Sequence, residues 1–148
     1  MGPFNNELRT MNREQRAEGG EASASCYNRV MEIRIITSPI KLEEITRLAA
    51  QQFGVMIKAV VDLKKRIMAL GGELHADEEQ LLLNQGSDQA DLWGVNLYPA
   101  KFGSEEFIQF DSMINIRPSA GNLSRNIEDE ETRGQIGSVI ADLVKDGA

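Results

Sequence analysis

The feature that most constrains this chain is a hydrophobic period that switches between two and about three and a half along residues 30–144. Met31, Ile33 and Ile35 alternate with Glu32, Arg34 and Ile36, the pattern of a strand. Leu42, Ile45, Leu48, Ala49 and Gln52 then recur at three and four, which predicts an amphipathic helix over 39–53. Ser38 is its expected N-cap, Pro39 its first position and Gly54 its stop. Residues 55–63 and 66–70 read as strands, with Lys64-Lys65 as a hairpin turn, the middle of one bent strand, or a helical end.

Asp77 with Gln80 three residues later has the form of a capping box, so a short helix is expected over about 77–85, closed by Gly86. Residues 92–98 and 106–116 alternate again, the second being the longest expected strand, with Ile108, Phe110, Ser112, Ile114 and Ile116 on one face. A last helix over about 129–144 carries the stripe Ile136, Val139, Ile140, Leu143 and Val144 behind an acidic first turn. Short links between strands favour antiparallel pairing. The expectation is an α+β fold of about five mostly antiparallel strands and three helices, in the order β-α-β-β-α-β-β-α.

Residues 1–29 hold few large apolar groups and read as a flexible tail, leaving 30–148 as one α+β domain of a 148-residue chain. Lys and Arg total 16 against 23 Asp and Glu, and charge is balanced up to Arg29, so the net −7 falls on that domain. An acidic surface lacks the counterion-release drive of nucleic-acid binding and disfavours anionic membranes. No apolar run is long enough to span a bilayer. Cys26, the only cysteine, excludes an internal disulfide, and with no signal-peptide core a cytoplasmic location is expected.

Three stretches read as signatures: Gly71-Gly72-Glu73-Leu74-His75-Ala76-Asp77; Asp91-Leu92-Trp93-Gly94-Val95-Asn96-Leu97-Tyr98-Pro99; and Phe110-Asp111-Ser112-Met113-Ile114-Asn115-Ile116-Arg117-Pro118, running on to Gly121-Asn122-Leu123-Ser124-Arg125. Together they resemble a small uncharacterised family of bacterial and archaeal proteins known only as a domain of unknown function. The resemblance covers about residues 31–146, and Met31-Glu32-Ile33-Arg34-Ile35 looks like the usual start of those proteins. It implies no activity and no catalytic assignment.

Two groups of residues could carry chemistry. Glu73, His75 and Asp77 follow a double glycine at a helix start, and the only histidine could act as a general base oriented by a carboxylate. The plainer reading is that His75 packs or caps. Asn115, Arg117, Asn122, Ser124 and Arg125 place two guanidinium groups among small polar donors, a combination that holds a carboxylate or phosphate. The plainer reading pairs those arginines with Asp111, Glu128 or Asp129. His75, Asp77 and Asp111 lack metal-ligand spacing, so no metal is expected; nor is a cofactor, for want of a Walker loop or dinucleotide fingerprint. No serine elbow is present. Trp93, Tyr98, Phe102 and Phe107 are expected in the core. The reading that follows is a non-enzymatic binding or interaction module, possible partners being a second copy or a small anion. The alternative is a small hydrolase or transferase, with His75 and Glu73 as an acid-base pair and Arg117 and Arg125 as an anion clamp.

Overall fold

The computed structural model describes residues 32–146, so the expected tail and Cys26 lie outside the described residues. The elements are β1 (Arg34–Ile36), β2 (Ile40–Lys41), α1 (Leu42–Gln52), β3 (Ile57–Asp62), β4 (Ile67–Leu70), α2 (His75–Asn84), β5 (Leu92–Leu97), β6 (Ile108–Gln109), α3 (Glu130–Leu143) and β7 (Val144–Lys145). Five strands form one antiparallel sheet in the order β1-β4-β3-β5-β6, and β2 pairs in parallel with β7. The expected α+β fold, its three helices and its mostly antiparallel five-stranded sheet are present.

Strand alternation divides the sheet residues between two faces. Ile57, Ala59 and Val61 of β3, Met68 and Leu70 of β4, and Trp93, Val95 and Leu97 of β5 pack with α1 and α3. Ile45, Leu48 and Ala49 come from α1, and the expected stripe Ile136, Val139, Ile140 and Leu143 from α3, with Val144 just beyond. The opposite face, Val60, Ala69 and Leu92, packs with Leu82 of α2 and with Ile114. Of the four aromatics expected in the core, Trp93 and Phe107 are buried there; Tyr98 is half-buried, and Phe102, against expectation, is exposed and meets Phe107 edge to face at 5.0 Å.

Several boundaries differ from expectation. Ser38 and Pro39 do not start α1. Ile40 and Lys41 extend beside Val144 and Lys145, so the helix begins at Leu42. The turn between β3 and β4 is a hairpin: Asp62 Oδ1 accepts from Lys64 N and Lys65 N, both at 2.9 Å, and Arg66 takes φ 57°. The capping box does not form. α2 starts two residues early, with extended Leu74 at its N-cap and no side-chain cap. Its C-terminus is closed as expected: Gly86 has φ 101°, and Ser87 N donates to Leu82 O (3.0 Å) while Gly86 N donates to Leu83 O (3.1 Å), a Schellman arrangement.

The largest correction is the long strand expected over 106–116. Only Ile108 and Gln109 pair with β5. Ser112 Oγ accepts from Ile114 N at 3.3 Å, and Met113–Asn115 winds into a short 3-10 turn. The apolar alternation therefore does not share a face. Ile108 and Phe110 pack on the α1/α3 core, Ile114 on the α2 side, and Ile116 is exposed.

Candidate functional site

The loss of that strand leaves four of the six residues of β5 without a strand neighbour on one side, and the segment 111–128 covers them with side chains. Asn115 Oδ1 accepts from Gly94 N at 2.8 Å and its Nδ2 donates to Gly94 O at 2.9 Å. Arg117 Nη2 donates to Leu92 O, and the guanidinium lies 4.2 Å from the centre of the Trp93 ring. Burial pulls the Arg117 pKa below its usual value. Asn122 is also turned inward: its Nδ2 donates to the carbonyls of Asn115 (2.8 Å), Ser124 (3.1 Å) and Asn126 (2.7 Å), and its Oδ1 accepts from Glu128 N at 2.9 Å. Ser124 Oγ donates to Glu128 Oε2 at 2.9 Å. The segment is thus held by its own amides, yet it leaves Met113 65% and Leu123 69% exposed.

The two candidate groups from the sequence meet at one place only, the far end of β5. His75, at the first position of α2, is buried, and its Nε2 lies 2.8 Å from Val95 O. A carbonyl only accepts, so Nε2 carries a proton. Burial brings the imidazole pKa down to about 4; the Val95 bond opposes this, and among the charges that act on it are Lys58, Asp111 and Arg125. Arg125 Nε donates to Asp111 Oδ1 at 2.6 Å, and Asp111 O accepts from Asn96 Nδ2 at 3.2 Å. Arg117 and Arg125 are not brought together. One is bonded at Leu92 and the other is linked through Asp111 to Asn96, four strand residues or about 13 Å further along β5. Glu73 and Asp77 are exposed. Among the described residues no three His, Cys, Asp or Glu side chains gather where they could hold a metal ion.

Sequence reasoning missed three residues at this end. Lys58 and Asn96 face each other across β3 and β5, and Gly71 N donates to Lys58 O at 3.3 Å, so Gly71, Lys58, Asn96 and Gln109 form one row across the sheet. Glu78, fully buried on α2, accepts from Gly72 N at 2.8 Å through Oε2. Burial raises its pKa well above the ordinary value, against the Gly72 bond and the Lys58 charge. Glu78 Oε1 and Asn96 Oδ1 are both buried and have no hydrogen-bond partner among the described residues. A signal for Glu78 was present: His75, Glu78 and Leu82 are spaced three and four apart, one helix face. That stripe is readable only once the helix is known to begin at His75.

A family model covers residues 34–143, under the description protein of unknown function (DUF5674). The chain belongs to this family. No curated protein and no solved structure matches it. All three signature stretches fall inside the matched region and all three converge on β5. The first supplies His75, the second β5 itself, and the third Asn115, Arg117, Asn122 and Arg125.

Proposed function

We propose that the chain is a non-enzymatic binding module that takes a small anionic ligand at the end of the sheet beneath the first turn of α2. One observation carries this reading: Glu78 Oε1 and Asn96 Oδ1, on neighbouring elements, are buried without partners. Buried polar atoms are nearly always paired, and unpaired ones mark places where a further group belongs. The sign of the ligand follows from its surroundings. Among the described residues Lys58 has no carboxylate partner, its Nζ resting 5.2 Å from the centre of the Phe53 ring, and the N-terminal end of α2 bears no side-chain cap. His75, a weak base with its proton committed to Val95 O, suits positioning better than proton transfer.

The test is a thermal-shift and calorimetric series with small anions on the full chain. A ligand that binds only the folded form raises the melting point. The expected result is saturable stabilisation by at least one anion, lost in Asn96→Leu; no response across carboxylates, phosphate and sulfate ends the reading.

A hydrolase or transferase with His75 and Glu73 as its acid-base pair is the second reading. It is favoured by the presence of Asp111 and Arg125 around the imidazole, with Arg125 alone left as the clamp. It requires that His75→Gln abolish turnover while leaving anion binding intact. Self-association is favoured separately by exposed Met113, Ile116 and Leu123 on their braced segment, and Leu123→Glu should then shift the sedimentation coefficient to that of a monomer.

A further inference from the structure

Away from the anion site, the segment after β6 presents an outer face whose composition selects a partner. Arg117 and Asn122 form an antiparallel bridge, Arg117 N donating to Asn122 O at 2.7 Å and Asn122 N to Arg117 O at 3.0 Å. Both side chains turn inward, Arg117 to Leu92 O and Asn122 to the carbonyls it braces. Strand alternation turns their neighbours Ile116 and Leu123 outward, opposite each other, and both are exposed. Ile116 N donates to Met113 O at 3.1 Å, so Met113 lies one 3-10 turn away on the same side. Three large apolar side chains thus share one outer face, on a frame that the amides of Asn115 and Asn122 already hold in place. Between Ser112 and Ser124 the only charged residue is the inward-turned Arg117.

The border of this face is acidic. Glu128 N donates to Asn122 Oδ1 at 2.9 Å and Glu128 Oε2 accepts from Ser124 Oγ at 2.9 Å, which fixes its carboxylate beside the residue that follows Leu123. Asp129, Glu130 and Glu131 continue the row into α3, and all four are exposed. None of the four forms an ion pair with a described residue, although the charge of Arg133 acts on Asp129, and Arg125 is taken by Asp111. We propose that this face docks a basic segment of another protein, its apolar side chains seated on Met113, Ile116 and Leu123 and its lysine or arginine side chains set against Glu128–Glu131. An apolar centre with a polar border is the anatomy of a protein interface, and complementary charge chooses the partner. Exposure alone fits a second copy equally well, but a second copy brings the same acidic row on a chain of net charge −7. The apolar area is small, so the complex is a transient one.

The experiment follows the backbone amides of the isotopically labelled full chain as a synthetic amphipathic peptide of leucine and lysine is added and, separately, its counterpart with glutamate for lysine. Movement at Met113, Ile116, Leu123 and Glu128 is the readout. The expected outcome is saturable movement of these amides with the lysine peptide and at least about tenfold weaker binding of the glutamate peptide. Leu123→Ser and the double variant Glu130→Gln/Glu131→Gln should each weaken the lysine peptide at least about fivefold. These side chains are exposed, so both variants keep the parent fold. Added salt should weaken the lysine peptide progressively. Equal binding of the two peptides overturns the basic partner. Movement of the same amides on concentrating the chain alone assigns the face to a second copy and overturns the proposal as well. So does peptide-induced movement that is confined to other residues, or none at all.

Discussion

The side-chain amide of Asn115 stands in for a strand against Gly94, accepting from its N–H at 2.8 Å and donating to its C=O at 2.9 Å. Side chains of the segment, not a neighbouring strand, complete β5 at this point, and the same amide nitrogen reaches Arg125 O at 3.1 Å. The chain uses the device where its sheet stops pairing, between the Asn96–Gln109 contact of β6 and the Leu92 carbonyl taken by Arg117.

Asn115→Leu therefore leaves two buried backbone groups of Gly94 unpaired. The expected loss is about 2–4 kcal/mol of folding stability, read by urea denaturation. Asn115→Asp keeps the acceptor, loses the donor and adds a buried charge, so it should be no better tolerated. A loss below about 0.5 kcal/mol for either variant would show that β5 does not need this cover.

Gly94→Ala should destabilise for a separate reason. A Cβ there would lie 2.7 Å from Ser112 Oγ, 2.8 Å from Ser112 Cβ and 3.1 Å from His75 Cδ2. Overpacking of this kind costs about 1–3 kcal/mol. Because the Ser112 Cβ is as close as its hydroxyl, Ser112→Ala should not rescue the variant in a thermal melt, whereas Ser112→Gly should recover part of the loss.

Arg117 and Arg125 should behave differently under alanine substitution. Arg117 is half-buried, bonded to Leu92 O and stacked on Trp93, so its removal should cost about 1–3 kcal/mol and change the emission of the only tryptophan. Arg125 makes an exposed ion pair with Asp111, an arrangement worth at most about 1 kcal/mol. Its alanine variant should melt close to the parent, with unchanged tryptophan emission.

The two buried titratable groups should give stability opposite slopes with pH. As pH falls from 6.5 towards 4, the unfolded chain takes up a proton at His75 that the folded chain refuses. Stability drops through that window, by up to about 3 kcal/mol. Above pH 4.5 the unfolded chain releases a proton at Glu78 that the folded chain retains, so stability also declines towards alkaline pH. Denaturation midpoints across pH 4–9 should show a flatter acid limb in His75→Gln and a flatter alkaline limb in Glu78→Gln. A parent profile with no decline on the alkaline side would contradict a buried, protonated Glu78.

Much of the fold was legible in local pattern. The apolar stripe of α3 packs as its spacing requires, and Gly86 closes α2 through the left-handed conformation that its lack of a Cβ permits. The error over 106–116 has a physical source. The alternation from Ile108 to Ile116 suits a strand, but a strand also needs a neighbour, and a serine-capped turn is the cheaper course where none is available. The candidate site was half legible. His75 stood out because it is unique, whereas Glu78 was hidden in the run Asp77-Glu78-Glu79, which looks like any solvated helix start.

What the sequence determined by itself is which residues turn inward within each element, because periodicity and backbone sterics act over a few residues. Which of the polar residues became structure and which were left without partners was decided only when β3, α2 and the segment after β6 met at β5. A hydrogen bond depends on distance and direction between groups far apart in the chain, and the residue types of Asn96, Asn115 and Asn122 are identical. Their surroundings alone make two of them braces and leave the third with an open acceptor.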